Sequence, residues 1–472
     1  MSDVRARILL LLLAMHALGG CAQYHAKPLT RPAVEQAITP PSADELQARA
    51  QKLRHPMLRP VPIDLRRGLT PDSAAVLAVI ANPTLRSQRD RRALSSAQLL
   101  QAGLLPNPTL DLTLDPVTGG NTQGTVSAYN VGVTWEVTAL ITHQAKEAAA
   151  RYQYQSVQLD VAWQEWQFAQ AAKKAVYDLV ALRDLLELTA AVDKRLAENV
   201  TLIRRAVEAH DRTVLDLSAA EAAAQKAHAD FLTAQHDLRH QQLVLNQSLG
   251  FLPGVDVQIA RELVLPSSLD LPPEKELSEG IDERRLDLQG LRLGYESQQE
   301  VLWGAVLAQF PKITFGVHQA RDTTNVQTTG IGVTVDLPIF DQNQGNIAIQ
   351  SATRQQLFDE YAGRIFDARS AVAQALTDIR SLAEQIAAAE AAVPALELLV
   401  KTYELALGQR NIDVLSYYIA QNDLAQKRID LLKLKQQLMA NKVVLEIATG
   451  RYLPDPPAGG PASRPSTAEA RR

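Results

Sequence analysis

Two hydrophobic periods organise this chain. Leu110, Leu112 and Leu114 alternate with Thr109, Asp111 and Thr113. After a Gly119-Gly120-Asn121 loop, Tyr129, Val131, Val133, Trp135 and Val137 alternate with Asn130, Gly132, Thr134 and Glu136. Much later, Ile313, Phe315 and Val317 alternate with Thr314, Gly316 and His318. Beyond Asp322-Thr323-Thr324-Asn325, Ile331, Val333, Val335 and Leu337 alternate with Gly332, Thr334 and Asp336. A period of two predicts strands with one apolar and one polar face, here paired as two hairpins.

Between the hairpins the period changes. No Pro or Gly occurs from Thr142 to Val207, which predicts a helix on the order of 100 Å long at ~1.5 Å per residue. Leu185, Leu188, Val192, Leu196, Val200, Ile203 and Val207 step by three or four along it, an apolar stripe. Leu382, Ile386, Ala389, Val393, Leu396, Val400, Tyr403 and Leu407 repeat the pattern, with Pro394 predicting a kink or a junction. Both helices turn back, at Ala209 to Thr213 and at Gly408 to Ile412, which predicts antiparallel helical hairpins forming a rod.

The elements recur at a fixed interval. Val214-Leu215 returns as Val414-Leu415, Gly250 as Gly450, and Val131-Gly132-Val133-Thr134 as Ile331-Gly332-Val333-Thr334, each 200 residues on. Pro108 matches Pro311, so a loop between them differs in length. The chain is therefore read as a duplication. Its predicted parts are a first repeat at 69–253, a linker at 254–280, a second repeat at 281–453 and a tail at 454–472.

Composition narrows the function classes. The 472 residues carry 48 Lys+Arg against 52 Asp+Glu, a net charge of −4 that gives no basic stripe for nucleic acid. Aromatics are only 5%, and the Ala and Leu bias suits long helices rather than a compact enzyme core. The single cysteine, Cys21, excludes a disulfide framework and a Cys-based zinc site. There is no Gly-rich phosphate loop, HExxH or nucleophile elbow, so no enzyme activity, cofactor or metal site is expected. His236 and His240 share a helix face near His228, and are read as an exposed polar pair.

Arg5 and Arg7 precede an apolar run from Ile8, too short to span a bilayer and ending in Leu18-Gly19-Gly20-Cys21. Residues 1–20 read as a signal peptide, with a lipobox that places the lipid on Cys21. Ala22 after the cysteine suggests outer-membrane delivery. Residues 21–68, rich in Pro, read as an extended or partly ordered arm.

The alternating strands fit either a half-buried soluble sheet or a transmembrane barrel. Four strands cannot close around a pore, and open sheet edges cannot sit in lipid, so a barrel would need several chains.

Lipobox, duplication, paired hairpins and long helical hairpins together resemble the TolC-type outer-membrane factors of bacterial efflux and secretion systems, over roughly 70–453. The resemblance is carried by Asn82-Pro83-Thr84-Leu85, Leu105-Pro106-Asn107-Pro108-Thr109-Leu110, the segment Leu337-Pro338-Ile339-Phe340-Asp341-Gln342-Asn343-Gln344-Gly345, and Gly408-Gln409-Arg410-Asn411-Ile412-Asp413-Val414-Leu415. It implies a mainly α protein with membrane β: a homotrimer with a twelve-stranded barrel in the outer membrane of a Gram-negative bacterium and an α-helical tunnel in the periplasm. A periplasmic adaptor and an inner-membrane pump would dock at the tip.

On that resemblance, Asn130, Thr134, Glu136, Thr314, His318, Thr334 and Asp336 would line the barrel lumen. Asp211, Arg212, Thr213, Gly408, Gln409 and Asn411 would form the adaptor-contact tips. Asp413 and Asp216 would ring the closed end, with Arg410 as a partner. First-turn carboxylates are also favoured simply by the helix dipole. The first tip has Ala209-His210 where the family often has Gly. The alternative function is a periplasmic coiled-coil lipoprotein or adaptor without a pore.

Overall fold

The structure is a computed structural model that describes residues 24–409 and 411–453. Cys21, the signal peptide, Arg410 and the tail lie outside the described residues. Residues up to Thr39 form one unit and Pro40 onward another. The first unit holds α1 (Arg31–Ile38), which starts with Pro32 in its first turn and buries no residue. The second opens with α2 (Ala43–Gln51), capped by the Ser42 hydroxyl and carrying Asp44 and Glu45 in its first turn. Part of the predicted extended arm is thus helical, with Ser42 capping α2 and Pro32 preset for the first turn of α1.

The first repeat runs through α3 (Pro71–Ala81), α4 (Thr84–Ala102), β1 (Thr109–Asp115), β2 (Ala128–Glu136), α5 (Ala139–Glu208) and α6 (Val214–Leu249). The second begins with the short α7 (Glu274–Ser278) and α8 (Ile281–Arg284). It continues through α9 (Leu286–Leu307), β3 (Ile313–Arg321), β4 (Gln327–Val335), α10 (Gln344–Gly408) and α11 (Val414–Thr449). Helix, hairpin, long helix and returning helix therefore occur twice. At Pro394 the helix α10 runs on unbroken. The proline removes one backbone donor, and the packed turns on either side keep the ladder.

The two hairpins join into one antiparallel sheet in the order β1-β2-β3-β4. Leu110 faces Val133, Val133 faces Val317, and Val317 faces Ile331, so the apolar positions of all four strands share one face. Gly132, opposite His318, and His318, opposite Gly330, lie on the other face. β4 starts four residues before Ile331 and stops before Asp336. Thr328 and Thr329 extend it by pairing with Ala320 and Gln319, and Pro338 is too close to let it continue.

Each repeat is closed in the same way. Gly250 and Gly450 end α6 and α11 in the left-handed region, at φ 78° and 62°. A Cβ on Gly250 would stand 2.5 Å from the Asn82 Cα, and one on Gly450 3.1 Å from the Arg285 Cα. These glycines let the end of each repeat touch the start of its first long-packing helix, α4 or α9. The linker between repeats is not loose. Leu69 donates to the Gln258 carbonyl and accepts from Ala260, and Val257, Ala260 and Leu265 are buried.

The two apolar stripes join one cluster together with the returning helices, through Ala220 and Ala227 of α6 and Tyr417, Tyr418 and Leu424 of α11. Val192, Leu196, Val200 and Ile203 of α5 pack in one cluster with Val393, Leu396, Val400, Tyr403 and Leu407 of α10. A separate polar knot ties α5 to α11. Lys173 is buried and reaches both oxygens of Glu446, at 3.1 and 3.2 Å, while Lys442 lies 3.8 Å away. The Leu453 N–H also donates to Glu446, and the Lys173 ammonium sits 4.4 Å from the Tyr452 ring centre. Burial pushes the Glu446 carboxyl above its ordinary range, against the pull of both lysines. Sequence reading missed this knot. A charge inside the Ala169, Ala172 and Val176 stripe was the available signal.

Candidate functional site

The sheet presents two chemically distinct faces. Register places Leu110, Leu112, Leu114, Tyr129, Val131, Val133, Trp135, Phe315, Val317, Ile331 and Val333 on one of them. Many of these are exposed: Leu112 is 68% and Ile331 73% accessible. Asn130, Thr134, Glu136, Thr314, His318 and Thr334 share the opposite face, as expected from sequence. Asp336 lies just past β4, and its N–H donates to the Lys312 carbonyl.

Glycines thin the polar face. Gly132, Gly316, Gly330 and Gly332 sit there, and a Cβ on Gly330 would meet the His318 ring at 2.6 Å. The ring therefore lies over Gly330 and would have to swing aside for any side chain there. The outer edges of β1 and β4 pair with no described strand. An isolated sheet with one bare apolar face and two free edges is a template for further strands.

At the other end, the two hairpin turns are built alike although their sequences differ. Ala209 N–H donates to Arg205 and Asp211 N–H to Ala206, while Gln409 N–H donates to Leu405 and Asn411 N–H to Ala406. His210 takes φ 60° to close the first turn, the conformation glycine would adopt at no cost. The sequence departure at the first tip thus leaves the backbone geometry intact.

The acidic tip residues are caps. The Thr213 hydroxyl accepts from the Asp216 N–H at 3.1 Å, and Asp216 accepts in return from the Thr213 N–H at 3.0 Å. Asp413 is itself the N-cap of α11, and takes both the N–H and the hydroxyl of Ser416. Those two bonds hold the Asp413 carboxyl below its usual range.

The tips differ in packing. Val414 is fully buried with Tyr417 and Tyr418, whereas its repeat partner Val214 is 70% exposed. Burial, with Tyr417 beside it, pushes Tyr418 up to about 12. A bond links the tips: Arg212 Nη2 donates to the Leu407 carbonyl at 2.9 Å, near the end of α10. Arg212, one of the tip residues read as adaptor contacts, thus also bonds across the two hairpins. Thr213, Asp211, Gln409 and Asn411 are exposed around it.

The helical histidines sit apart from these features. His228 lies 3.3 Å from Asp193, and the rings of His236 and His240 are 6.3 Å apart. Among the described residues no three potential metal ligands cluster, and no helix is long and apolar enough to cross a membrane.

Comparison with known proteins adds to this geometry. Residues 278–451 match the family described as outer membrane efflux protein. The chain is 25% identical over 301 residues to the cobalt-zinc-cadmium resistance protein CzcC of Cupriavidus metallidurans, covering 63% of this chain and 70% of that protein. In fold it is similar to the outer membrane protein VceC of Vibrio cholerae, with a TM-score of 0.68 at 17% identity over 81% of this chain and 96% of the other. It is also similar to the CmeC outer membrane channel of Campylobacter jejuni, with a TM-score of 0.67 at 13% identity over 91% and 94%.

Proposed function

We infer the working assembly from one premise: this chain belongs to the outer membrane efflux protein family and is the outer-membrane channel component of a tripartite efflux system. It is a conduit, not an enzyme. We propose that it works as a homotrimer whose three sheets join edge to edge, β4 of one copy beside β1 of the next. Three four-stranded sheets give a twelve-stranded barrel, wide enough for an aqueous lumen. The observation that carries this is the register: the apolar positions of the four strands share one face, and among the described strands the free edges are the outer ones of β1 and β4. Closure satisfies both free edges, as lipid requires.

The apolar face then meets lipid, and Asn130, Thr134, Glu136, Thr314, His318, Thr334 and Asp336 line the lumen. The paired helices α5–α6 and α10–α11 extend the conduit through the periplasm of a Gram-negative bacterium. A periplasmic adaptor and an inner-membrane pump engage the tips at Asp211, Arg212, Thr213, Gly408, Gln409 and Asn411. Asp413 and Asp216, with Arg410, gate the closed end. A lipid on Cys21 holds each copy at the outer membrane before assembly. A scaffold without a pore has no use for a sheet with one lipid-compatible face.

The test is single-channel conductance in a planar bilayer together with mass in detergent. A trimer with a small cation-preferring conductance is expected. A monomer without conductance would overturn the assembly. Given the likeness to CzcC, cobalt, zinc and cadmium are the first cargoes to try in an efflux assay.

A further inference from the structure

A basic pocket of about 520 Å³ opens between α2, the segment that follows it, and helices α4 and α5. Five cationic side chains line it against two carboxylates. Both carboxylates are already engaged. Glu45 holds Arg49 at 2.5 Å, and the buried Glu165 holds Arg89 at 2.6 Å and Arg92 at 3.0 Å. The Arg92 Nε is buried with no acceptor among the described residues. Lys52 and Arg54 complete the lining, and make no ion pair among the described residues.

The floor of the pocket is fixed in place. Arg89 also donates to the Val79 carbonyl at 2.5 Å. His55, with a side chain only 2% exposed, accepts the Met57 and Leu58 N–H groups at Nδ1 and meets the Ala162 carbonyl at Nε2. The lining therefore keeps an excess of three positive charges over its carboxylates around an open cavity, with Lys52 and Arg54 outside any ion pair among the described residues. Guanidinium groups favour oxyanions that accept from two N–H donors at once.

We propose that this pocket binds a soluble multivalent oxyanion of the phosphate class. A monocarboxylate would leave most of the excess charge unmatched. The choice of a soluble source over a lipid headgroup rests on the membrane reading above. Glu165 lies about 26 residues below the start of α5, about 39 Å of helix at ~1.5 Å per residue, well beyond a headgroup layer at the end of the sheet.

The probes are inorganic phosphate and inorganic pyrophosphate, added to the purified full-length trimer and followed by thermal melting and calorimetry. Sodium chloride at equal ionic strength is the control. A saturable rise in melting temperature, larger for pyrophosphate, is expected. Arg92→Gln and the exposed double variant Lys52→Gln/Arg54→Gln should each weaken binding by about ten-fold or more, the scale of one lost charge-assisted bond. Mass and conductance should stay unchanged, so failure here leaves the channel reading standing. A rise matched by chloride, or binding unaltered in the double variant, overturns the site. Displacement of phosphate by phosphatidylglycerol vesicles but not by neutral ones overturns the soluble source.

Discussion

Ser416 gives both of its donors to Asp413: its N–H reaches Oδ1 at 2.8 Å and its hydroxyl reaches Oδ2 at 2.7 Å. At the other tip the roles are exchanged, with Thr213 as the cap and Asp216 three residues on. Cap and gate can be separated by substitution. Asp413→Asn keeps an acceptor for Ser416 but removes the charge, so it should raise single-channel conductance and reduce cation preference while leaving the melting temperature close to wild type. Asp413→Ala should lower the melting temperature as well. Unchanged ion selectivity in Asp413→Asn would leave this residue a cap alone. Because the folded pKa is depressed, the cap is fully present above the ordinary carboxylate range and is lost as pH falls through the folded value.

Arg212 ties the first tip to the carbonyl of Leu407. If that bond helps hold the two hairpins together, Arg212→Gln should increase conductance without changing the trimer mass. A cation near a helix C-terminus also complements its dipole, so Arg212→Lys should recover part of the closed behaviour. Equal conductance in all three proteins would remove Arg212 from the gate.

Glu446 sits between Lys173 and Lys442 with no exposure to solvent. Removing it strips Lys173 of its nearer carboxylate and leaves only Asp72, 3.6 Å away, so Glu446→Ala should cost about 3–5 kcal/mol in denaturant unfolding. Replacing Lys173, Lys442 and Glu446 together by Met, Met and Leu should cost less, since the buried charges leave together and Asp72, itself partly exposed, keeps the Tyr452 hydroxyl. A triple variant as unstable as the single one would mean that the knot contributes more than its own charge balance.

His55 supplies a pH test. Its Nδ1 already accepts two backbone N–H groups, so a proton there would break both bonds. Burial lowers its pKa below 6.5, opposed by the Ala162 carbonyl and Glu165. The unfolded chain therefore takes up the proton first. The contribution of His55 is complete above about pH 6.5 and is lost as pH falls through the folded value. The melting-temperature advantage of wild type over His55→Gln should shrink from pH 7.5 to pH 5. A constant difference over that range would rule this titration out.

Gly250 and Gly408 make a matched pair for a stability measurement. Gly250→Ala meets both a positive φ and the Asn82 Cα, and should destabilise by more than about 1 kcal/mol. Gly408 has open space where a Cβ would go. Gly408→Ala should be neutral or stabilising by up to about 1 kcal/mol, through helix propensity. Chemical denaturation of both variants checks the contrast.

Much of this architecture can be read from the sequence because it rests on local periods. Alternation at Tyr129 to Trp135 and at Ile313 to Val317 specified the strand faces, and the stretch without Pro or Gly after Thr142 specified the long helix. The recurrence of Val214-Leu215, Gly250 and Val131 to Thr134 specified the duplication. Those signals depend on residues a few positions apart, which the backbone geometry couples directly. Tertiary structure alone decided which surfaces meet. It joined β2 to β3, gathered the α5 and α10 stripes into one cluster with the returning helices, buried Val414 while leaving Val214 open, and brought Lys173 to Glu446 and Arg212 to Leu407. Partners so far apart in sequence leave no periodic trace, because their proximity is set by packing of whole elements and not by the chain's local repeat.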